Sequence, residues 1–132
     1  MQAFAVDAAE RPTEGWADHA CGSIRWQTLI SAGLTDSAGM VCGIAHLAAG
    51  EDFTVHHHAE AEIYFGLDGT GTVMIEGIPH RLAPGVALFI PSHAVHGIPA
   101  VTAPLRFFYV FAADRFDDIT YHWPAASALA KL

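Results

Sequence analysis

The chain is poor in cysteine, in basic residues and in long apolar runs. Its two cysteines, Cys21 and Cys42, are too few for a disulfide framework, so we expect a reduced, cytoplasmic protein. Six basic residues against fourteen acidic ones give a formal charge of −8, which disfavours nucleic acid and anionic membrane surfaces as partners. No apolar run approaches the roughly 20 residues of a membrane span. The first residues also lack the basic start of a signal peptide.

Short apolar segments separated by glycine and proline fill most of the chain. Many short strands at a spacing of about 8–12 residues indicate an antiparallel sandwich or barrel. A single domain fits the 132 residues, with 1–22 as an N-terminal arm or helix, 23–122 as the β-domain and 123–132 as a tail that could hold a short helix. The predicted strands are 24–30, 40–47, 53–58, 62–67, 72–76, 80–82, 86–90 and 105–112, with a hairpin turn at 68–71.

Histidine is the unusual residue of this sequence, with nine in the chain and three in a row at 56–58. Strand alternation places His56 and His58 on one face and His57 on the other. Glu62 and Tyr64 share a face of the next predicted strand, and a hairpin of the two strands would direct both pairs into one cavity. Imidazole and carboxylate donors suit a divalent transition metal (Fe, Ni, Zn, Mn or Co), whereas a solvated surface patch is the simpler alternative.

The glycines around these histidines have a defined spacing. Gly50, five residues, His56, one residue, His58, three residues, Glu62, six residues and Gly69 match the first motif of the cupin family. This resemblance implies an all-β fold, a single cupin jelly-roll β-barrel or double-stranded β-helix, with the metal bound inside.

A second motif follows later in the chain. Gly85, five residues, Pro91, one residue, His93, two residues and His96 resemble the second cupin motif. His93 stands where the family usually has glycine, and Ala100 stands where it often has asparagine. His93 could therefore point into the pocket mouth. The two motifs together imply the metal ligands His56, His58, Glu62 and His96.

Three further features resemble the small single-cupin dimethylsulfoniopropionate lyases. They are Tyr64 two residues beyond Glu62, the segment 24–30, and the ending 105–111 followed by 114–116 and then Tyr121. In that family the metal holds the substrate carboxylate, a tyrosine takes the α-proton, dimethyl sulfide leaves and acrylate remains. The resemblance implies Tyr64 as the general base and Tyr121 as a second catalytic tyrosine.

Aromatic residues alternate along the predicted strand 105–112. Phe107, Tyr109 and Phe111 share one face, and a sulfonium group favours such faces by cation–π attraction. We therefore take Trp26, Phe107 and Tyr109 as candidate substrate contacts. Plain core packing is the alternative for all three.

Other functions fit the same donor set, because a fold does not determine its chemistry. An iron-dependent dioxygenase, another cupin enzyme and a non-catalytic small-molecule-binding protein are the alternatives to a lyase acting on a small carboxylate. We expect a homodimer, since an apolar arm and open sheet edges need covering. We also expect the protein to stay folded without metal, because its apolar core does not depend on the ion.

Overall fold

The computed structural model describes residues 1–124, so the helix predicted after Pro124 lies outside the described residues. Ten strands and three 3-10 helices follow one another in this part of the chain. The strands are β1 (Glu14–Gly15), β2 (Arg25–Ile30), β3 (Val41–Leu47), β4 (Phe53–His56), β5 (Glu62–Asp68), β6 (Gly71–Ile75), β7 (Ile78–Leu82), β8 (Ala87–Ile90), β9 (His96–Ile98) and β10 (Leu105–Phe111), and the 3-10 helices are Ala8–Glu10, His19–Cys21 and Phe116–Asp118.

The strands form two antiparallel sheets that share one core. One sheet has the order β1-β2-β3-β10-β5-β8 and the other the order β4-β9-β6-β7. Every second side chain of β10 is buried, which matches the predicted alternation of that strand. The inner faces of both sheets contribute to one apolar cluster. The all-β jelly-roll prediction is therefore confirmed.

The predicted pairing of β4 with β5 is wrong. β4 pairs with β9, whereas β5 lies between β10 and β8 in the other sheet. The 68–71 turn likewise makes no hairpin, because it carries the chain from β5 across to β6 of the opposite sheet. Two strands that face each other across a barrel bury alternate residues just as a hairpin does, so the alternation pattern alone could not separate the two arrangements.

A β-bulge in β4 sets the orientation of the histidine run. Phe53 pairs with Ile98 and His56 pairs with His96, so three steps along β4 match two along β9. The extra residue lets Phe53 and His56 both face the interior, although they are an odd number of residues apart. Beyond the strand, His57 remains only partly buried and His58 is buried again.

The first and last described segments contact the barrel through backbone hydrogen bonds. β1 pairs with β2, with Glu14 opposite Trp26. Near the other end, the His57 N–H donates to the His122 carbonyl (3.0 Å) and the His122 N–H donates to the His57 carbonyl (2.9 Å). The domain boundaries at residues 23 and 122 stay a prediction. Within residues 1–124, no helix has the length and apolar character needed to cross a membrane.

Candidate metal centre

Three imidazoles from the two predicted motifs meet inside the barrel. One ring nitrogen from each of His56, His58 and His96 lies within 4.8 Å of the other two. His56 and His96 are direct partners across β4 and β9, which places their side chains side by side. All three residues are 1% exposed. The sequence placed these histidines in one site, and the structure brings them together.

The backbone fixes the orientation of each ring. The Nδ1 atom of His56 lies 2.7 Å from the Thr54 carbonyl oxygen, that of His58 lies 2.9 Å from the carbonyl of the residue two positions later, and that of His96 lies 2.8 Å from the carbonyl two positions earlier. A carbonyl only accepts, so each Nδ1 carries the proton. In the neutral form of each ring, Nε2 then carries the free lone pair, as is usual for metal-binding histidines.

Glu62 approaches the same point from the opposite sheet. Its Oε1 lies 3.3 Å from His58 Nε2 and 3.3 Å from His96 Nε2, and the residue is 4% exposed. This oxygen and the three Nε2 atoms are buried and have no hydrogen-bond partner. Unpaired buried polar atoms are costly, and three imidazole nitrogens close together with a carboxylate oxygen beside two of them fit a bound cation. Nitrogen and oxygen donors of this kind suit a divalent transition metal but do not select one.

The electrostatics of the rings differ within the cluster. Burial, followed by the neighbouring His96, lowers the pKa of His56 well below its ordinary value. Burial also acts to lower the pKa of His58, but the Glu62 carboxylate beside it outweighs burial and raises that pKa. His56 is therefore held neutral, which is the form that ligates metal.

Two phenols lie beside this cluster. The Tyr64 ring centroid is 6.1 Å from that of His96, and the Tyr121 ring is 5.1 Å from His56 and 5.2 Å from His58. Burial raises the pKa of both tyrosines well above the ordinary value, and the charge of Glu62 raises both further. Both predicted catalytic tyrosines thus lie against the candidate metal centre, and both phenols hold their protons tightly in the absence of positive charge.

An aromatic cavity of about 30 Å³ adjoins the cluster. It offers room for about two water-sized groups. Trp26, Phe107 and Tyr109, the three predicted substrate contacts, all line it. Its other walls come from Trp16, Ile24, Ala45, Phe53, Glu62, Tyr64, Phe111, Phe116 and Tyr121.

The hydroxyl of Tyr109 explains a glycine in the neighbouring strand. Tyr109 pairs with Gly43 of β3, and a Cβ atom at position 43 would collide with the Tyr109 hydroxyl and the Gln27 carbonyl. Burial raises the pKa of Tyr109, so its phenol stays neutral, and its ring lines the cavity.

Three half-buried rings cover the site, and we call Trp16, Tyr121 and Trp123 the aromatic cap. The Trp16 ring lies 4.9 Å from Tyr121 and 5.2 Å from Trp123, and the Trp123 ring lies 5.1 Å from His56. Sequence reasoning missed both tryptophans, because they lie in segments assigned to an arm and a tail. The sequence did offer a clue to both, because large aromatic residues stand out in segments that are otherwise polar or Ala-rich.

The other two histidines of the motif region face away from the cavity. His57 is partly exposed, as the alternation predicted, and His93 is exposed. The Nδ1 atoms of these two residues lie 3.2 Å apart. We expected that His93 could point into the pocket mouth, but its imidazole contacts His57 on the outside of the barrel.

Comparison with known proteins agrees with this geometry. The cupin domain family matches residues 43–111. Dimethylsulfoniopropionate lyase DddW of Ruegeria pomeroyi is 42% identical over 123 residues, which cover 93% of this chain and 81% of that protein.

Two solved structures show the same architecture. The polyketide cyclase RemF from Streptomyces resistomycificus superposes with a TM-score of 0.78 at 17% identity, covering 93% of this chain and 86% of that one, and this likeness concerns the fold alone. The dimethylsulfoniopropionate lyase DddQ from Ruegeria pomeroyi superposes with a TM-score of 0.55 at 30% identity, covering 59% of this chain and 40% of that one. With both motif spacings and the jelly roll in place, the chain belongs to the cupin family.

Proposed function

We propose that this protein is a metal-dependent lyase that eliminates dimethyl sulfide from dimethylsulfoniopropionate, or from a similar small carboxylate, and releases acrylate. The observation that carries the proposal is the buried phenol of Tyr64 beside four buried donor atoms that have no hydrogen-bond partner. The 42% identity to a protein named as such a lyase supports the choice of substrate.

The metal would be held by His56, His58, His96 and Glu62. A divalent cation at these donors would bind the substrate carboxylate and make the adjacent C–H more acidic. The three Nδ1 contacts with backbone carbonyls hold the imidazoles in place before the substrate arrives. Glu62 adds the fourth donor from the opposite sheet, so the geometry of the site depends on a fixed separation between the two sheets.

Tyr64 acts as the general base in this proposal. Its phenolate oxygen takes the proton from the carbon next to the carboxylate, and the electron pair of that C–H bond forms the new C=C bond. The C–S bond breaks with its electrons on sulfur, so the sulfonium group leaves as neutral dimethyl sulfide. Because burial and Glu62 hold the pKa of Tyr64 high, the residue becomes a base only where positive charge offsets them.

The aromatic cavity supplies the selectivity for the other end of the substrate. The rings of Trp26, Phe107 and Tyr109 offer apolar and π-rich surface, on which a sulfonium cation is favourable and a second carboxylate is not. Tyr121 lines the same cavity and also belongs to the aromatic cap. We assign it to positioning the substrate and excluding water, with the phenol of Tyr64 as the proton acceptor.

Headspace gas chromatography of the metal-loaded protein with dimethylsulfoniopropionate tests the proposal. We expect dimethyl sulfide and acrylate in equal amounts, and loss of both products in Tyr64→Phe. A His80→Gln variant, altered at a histidine of β7 outside the site, serves as the matched control.

An absence of dimethyl sulfide from several metal-loaded forms would reject the lyase. Oxygen consumption with aromatic or thiol substrates would then favour a dioxygenase. Substrate binding without turnover would favour a binding protein.

A further inference from the structure

A second group of histidines lies on the outside of the barrel. His57, His93 and His122, which we call the outer cluster, share no side chain with the candidate metal centre. The ring centroids of His57 and His93 are 5.4 Å apart, those of His57 and His122 are 4.7 Å apart, and those of His93 and His122 are 6.2 Å apart. Three imidazoles within contact distance on an exposed surface are unusual and call for a physical account.

Three separate segments of backbone bring these residues together. His57 faces outward because its two neighbours in the histidine run face inward. His122 is opposite His57 in a two-residue bridge closed by two backbone hydrogen bonds. His93 lies in the turn before β9, and its N–H donates to the His58 carbonyl at 2.8 Å.

His93 occupies its position at a cost in backbone energy. Its φ is 61°, in the left-handed region that residues with a Cβ atom disfavour and that glycine adopts freely. A glycine here would keep the turn and its N–H bond to His58 without that strain. Strained residues of this kind concentrate at functional sites, so the imidazole itself points to a use.

The separation of the nitrogens suggests what this use is. Two nitrogens bound to one tetrahedral zinc ion at about 2.0–2.1 Å lie about 3.3 Å apart. The observed Nδ1–Nδ1 distance between His57 and His93 is 3.2 Å. An N–H···N hydrogen bond would have a similar length, and the two cases differ in whether added metal displaces the shared proton.

We propose that the outer cluster is a second binding site for a divalent transition-metal ion such as Zn²⁺, with His57 and His93 as its preset ligands. His122 is the third ligand. Its ring stacks on His57 with 15° between the planes, so this exposed side chain would have to rotate to offer a nitrogen to the ion.

The surroundings favour a cation at this place. The Glu76 carboxylate lies beside the cluster, where its Oε1 accepts the Val95 N–H at 2.7 Å in the turn that also carries His93. The net charge of −8 also attracts divalent cations to the surface.

Metal at the outer cluster would tie three elements together. His57 follows the strand that supplies His56, His93 precedes the strand that begins with His96, and His122 is next to Tyr121 in the aromatic cap. An ion there would hold the segment carrying Tyr121 and Trp123 against the barrel rim. The site therefore acts as an external clamp on the cover of the cavity.

Equilibrium dialysis of the full-length protein against Zn²⁺, followed by elemental analysis, tests the site. We expect about two ions per chain for the wild type and about one for the double variant His57→Gln/His93→Gly. The glycine is chosen because it suits the φ of position 93, and circular dichroism verifies that the variant is folded. His80→Gln is the matched control and should still bind about two ions.

The inner and outer sites are separated by a further variant. His96→Gln removes an inner donor and should retain the outer ion, so failure of the lyase proposal and failure of this one give different results. His122→Asn, which leaves both preset ligands, should weaken the outer ion without abolishing it. An ion content of the folded double variant equal to that of the wild type would overturn the proposal.

Discussion

The inner cluster of His56, His58 and His96 and the outer cluster both take residues from the histidine run 56–58, yet the two clusters lie in different environments. His56 and His58 are buried with Nδ1 bound to backbone carbonyls and Nε2 directed at a shared point. His57 lies between them in sequence and meets its partners on the surface. The comparison shows that residue type alone does not decide how an imidazole is held. Burial and the acceptor given to the second ring nitrogen decide whether the ring is fixed before a ligand binds.

The two clusters also differ in preorganisation. Each inner ring is fixed by packing and by a hydrogen bond, so little freedom is lost when a ligand binds. The outer rings of His93 and His122 are exposed, and His122 must rotate before it can ligate. We therefore expect the inner site to bind metal more tightly and the outer site to fill only at higher free metal.

The largest effect should come from removing an inner ligand. In His96→Gln we expect loss of the inner ion and an activity loss beyond the roughly 100-fold typical of changes around the ligands. His57→Gln, altered next to two inner ligands, should retain the inner ion. Metal content at low free metal and the rate of dimethyl sulfide release measure the two outcomes. Loss of the inner ion from His57→Gln would erase the contrast between the clusters.

Removal of the Tyr64 hydroxyl beside the inner cluster should have the second-largest effect on activity. We expect Tyr64→Phe to lower kcat by about 10²–10⁴-fold with the metal retained, since general-base catalysis contributes about that much. Tyr121→Phe should raise KM more than it lowers kcat. Steady-state kinetics on metal-quantified protein distinguish the two, and the reverse ranking would transfer the role of base to Tyr121.

The pH dependence of activity should follow the protonation of the Tyr64 phenol. Burial raises the pKa of Tyr64, so the base form is scarce at neutral pH and becomes more abundant as pH rises. We expect kcat/KM to increase by up to about tenfold per pH unit on the side where the phenol is protonated. The pH profile of the residual activity of Tyr64→Phe should lack this rise. The same rise in the variant would exclude Tyr64.

Metal removal should lower stability without unfolding the chain. Binding to the native state at 100 times Kd adds about 2.7 kcal/mol, or roughly 10 °C in Tm for a domain of this size. Scanning calorimetry with and without a chelator should show this shift in the wild type and in the double variant of the outer cluster. A chelated protein that is unfolded at room temperature would contradict the prediction.

The smallest effect concerns the strained residue of the outer cluster. In His93→Gly the relief of backbone strain is offset by the greater freedom of glycine in the unfolded chain. We expect the free energy of unfolding of metal-free protein to change by less than about 1 kcal/mol. Urea denaturation measures this. A large loss of stability would show that the imidazole packs as part of the fold, with no separate use.

Much of the site was predictable because its residues occur at the defined spacings of two sequence motifs. Alternation placed His56 and His58 on one face, and the motif spacings added Glu62 and His96. The pairing of β4 with β9 was not predictable, since alternate burial fits a hairpin and facing sheets equally well. Trp16 and the outer cluster were missed, because contacts between chain ends and the barrel leave no periodic signal. The homodimer stays a prediction.

The bulge in β4 has a consequence for chain length. Phe53 stacks on His56 with ring centroids 4.2 Å apart, and the bulge between them lets both face inward although three positions separate them. A deletion of either Thr54 or Val55 would leave two steps on each strand, so a regular ladder would still bury both side chains. An insertion would set four steps of β4 against two of β9, which demands either a second extra residue in the bulge or a new partner for Phe53. The Phe53–His56 stack should therefore tolerate the loss of one residue here better than the gain of one.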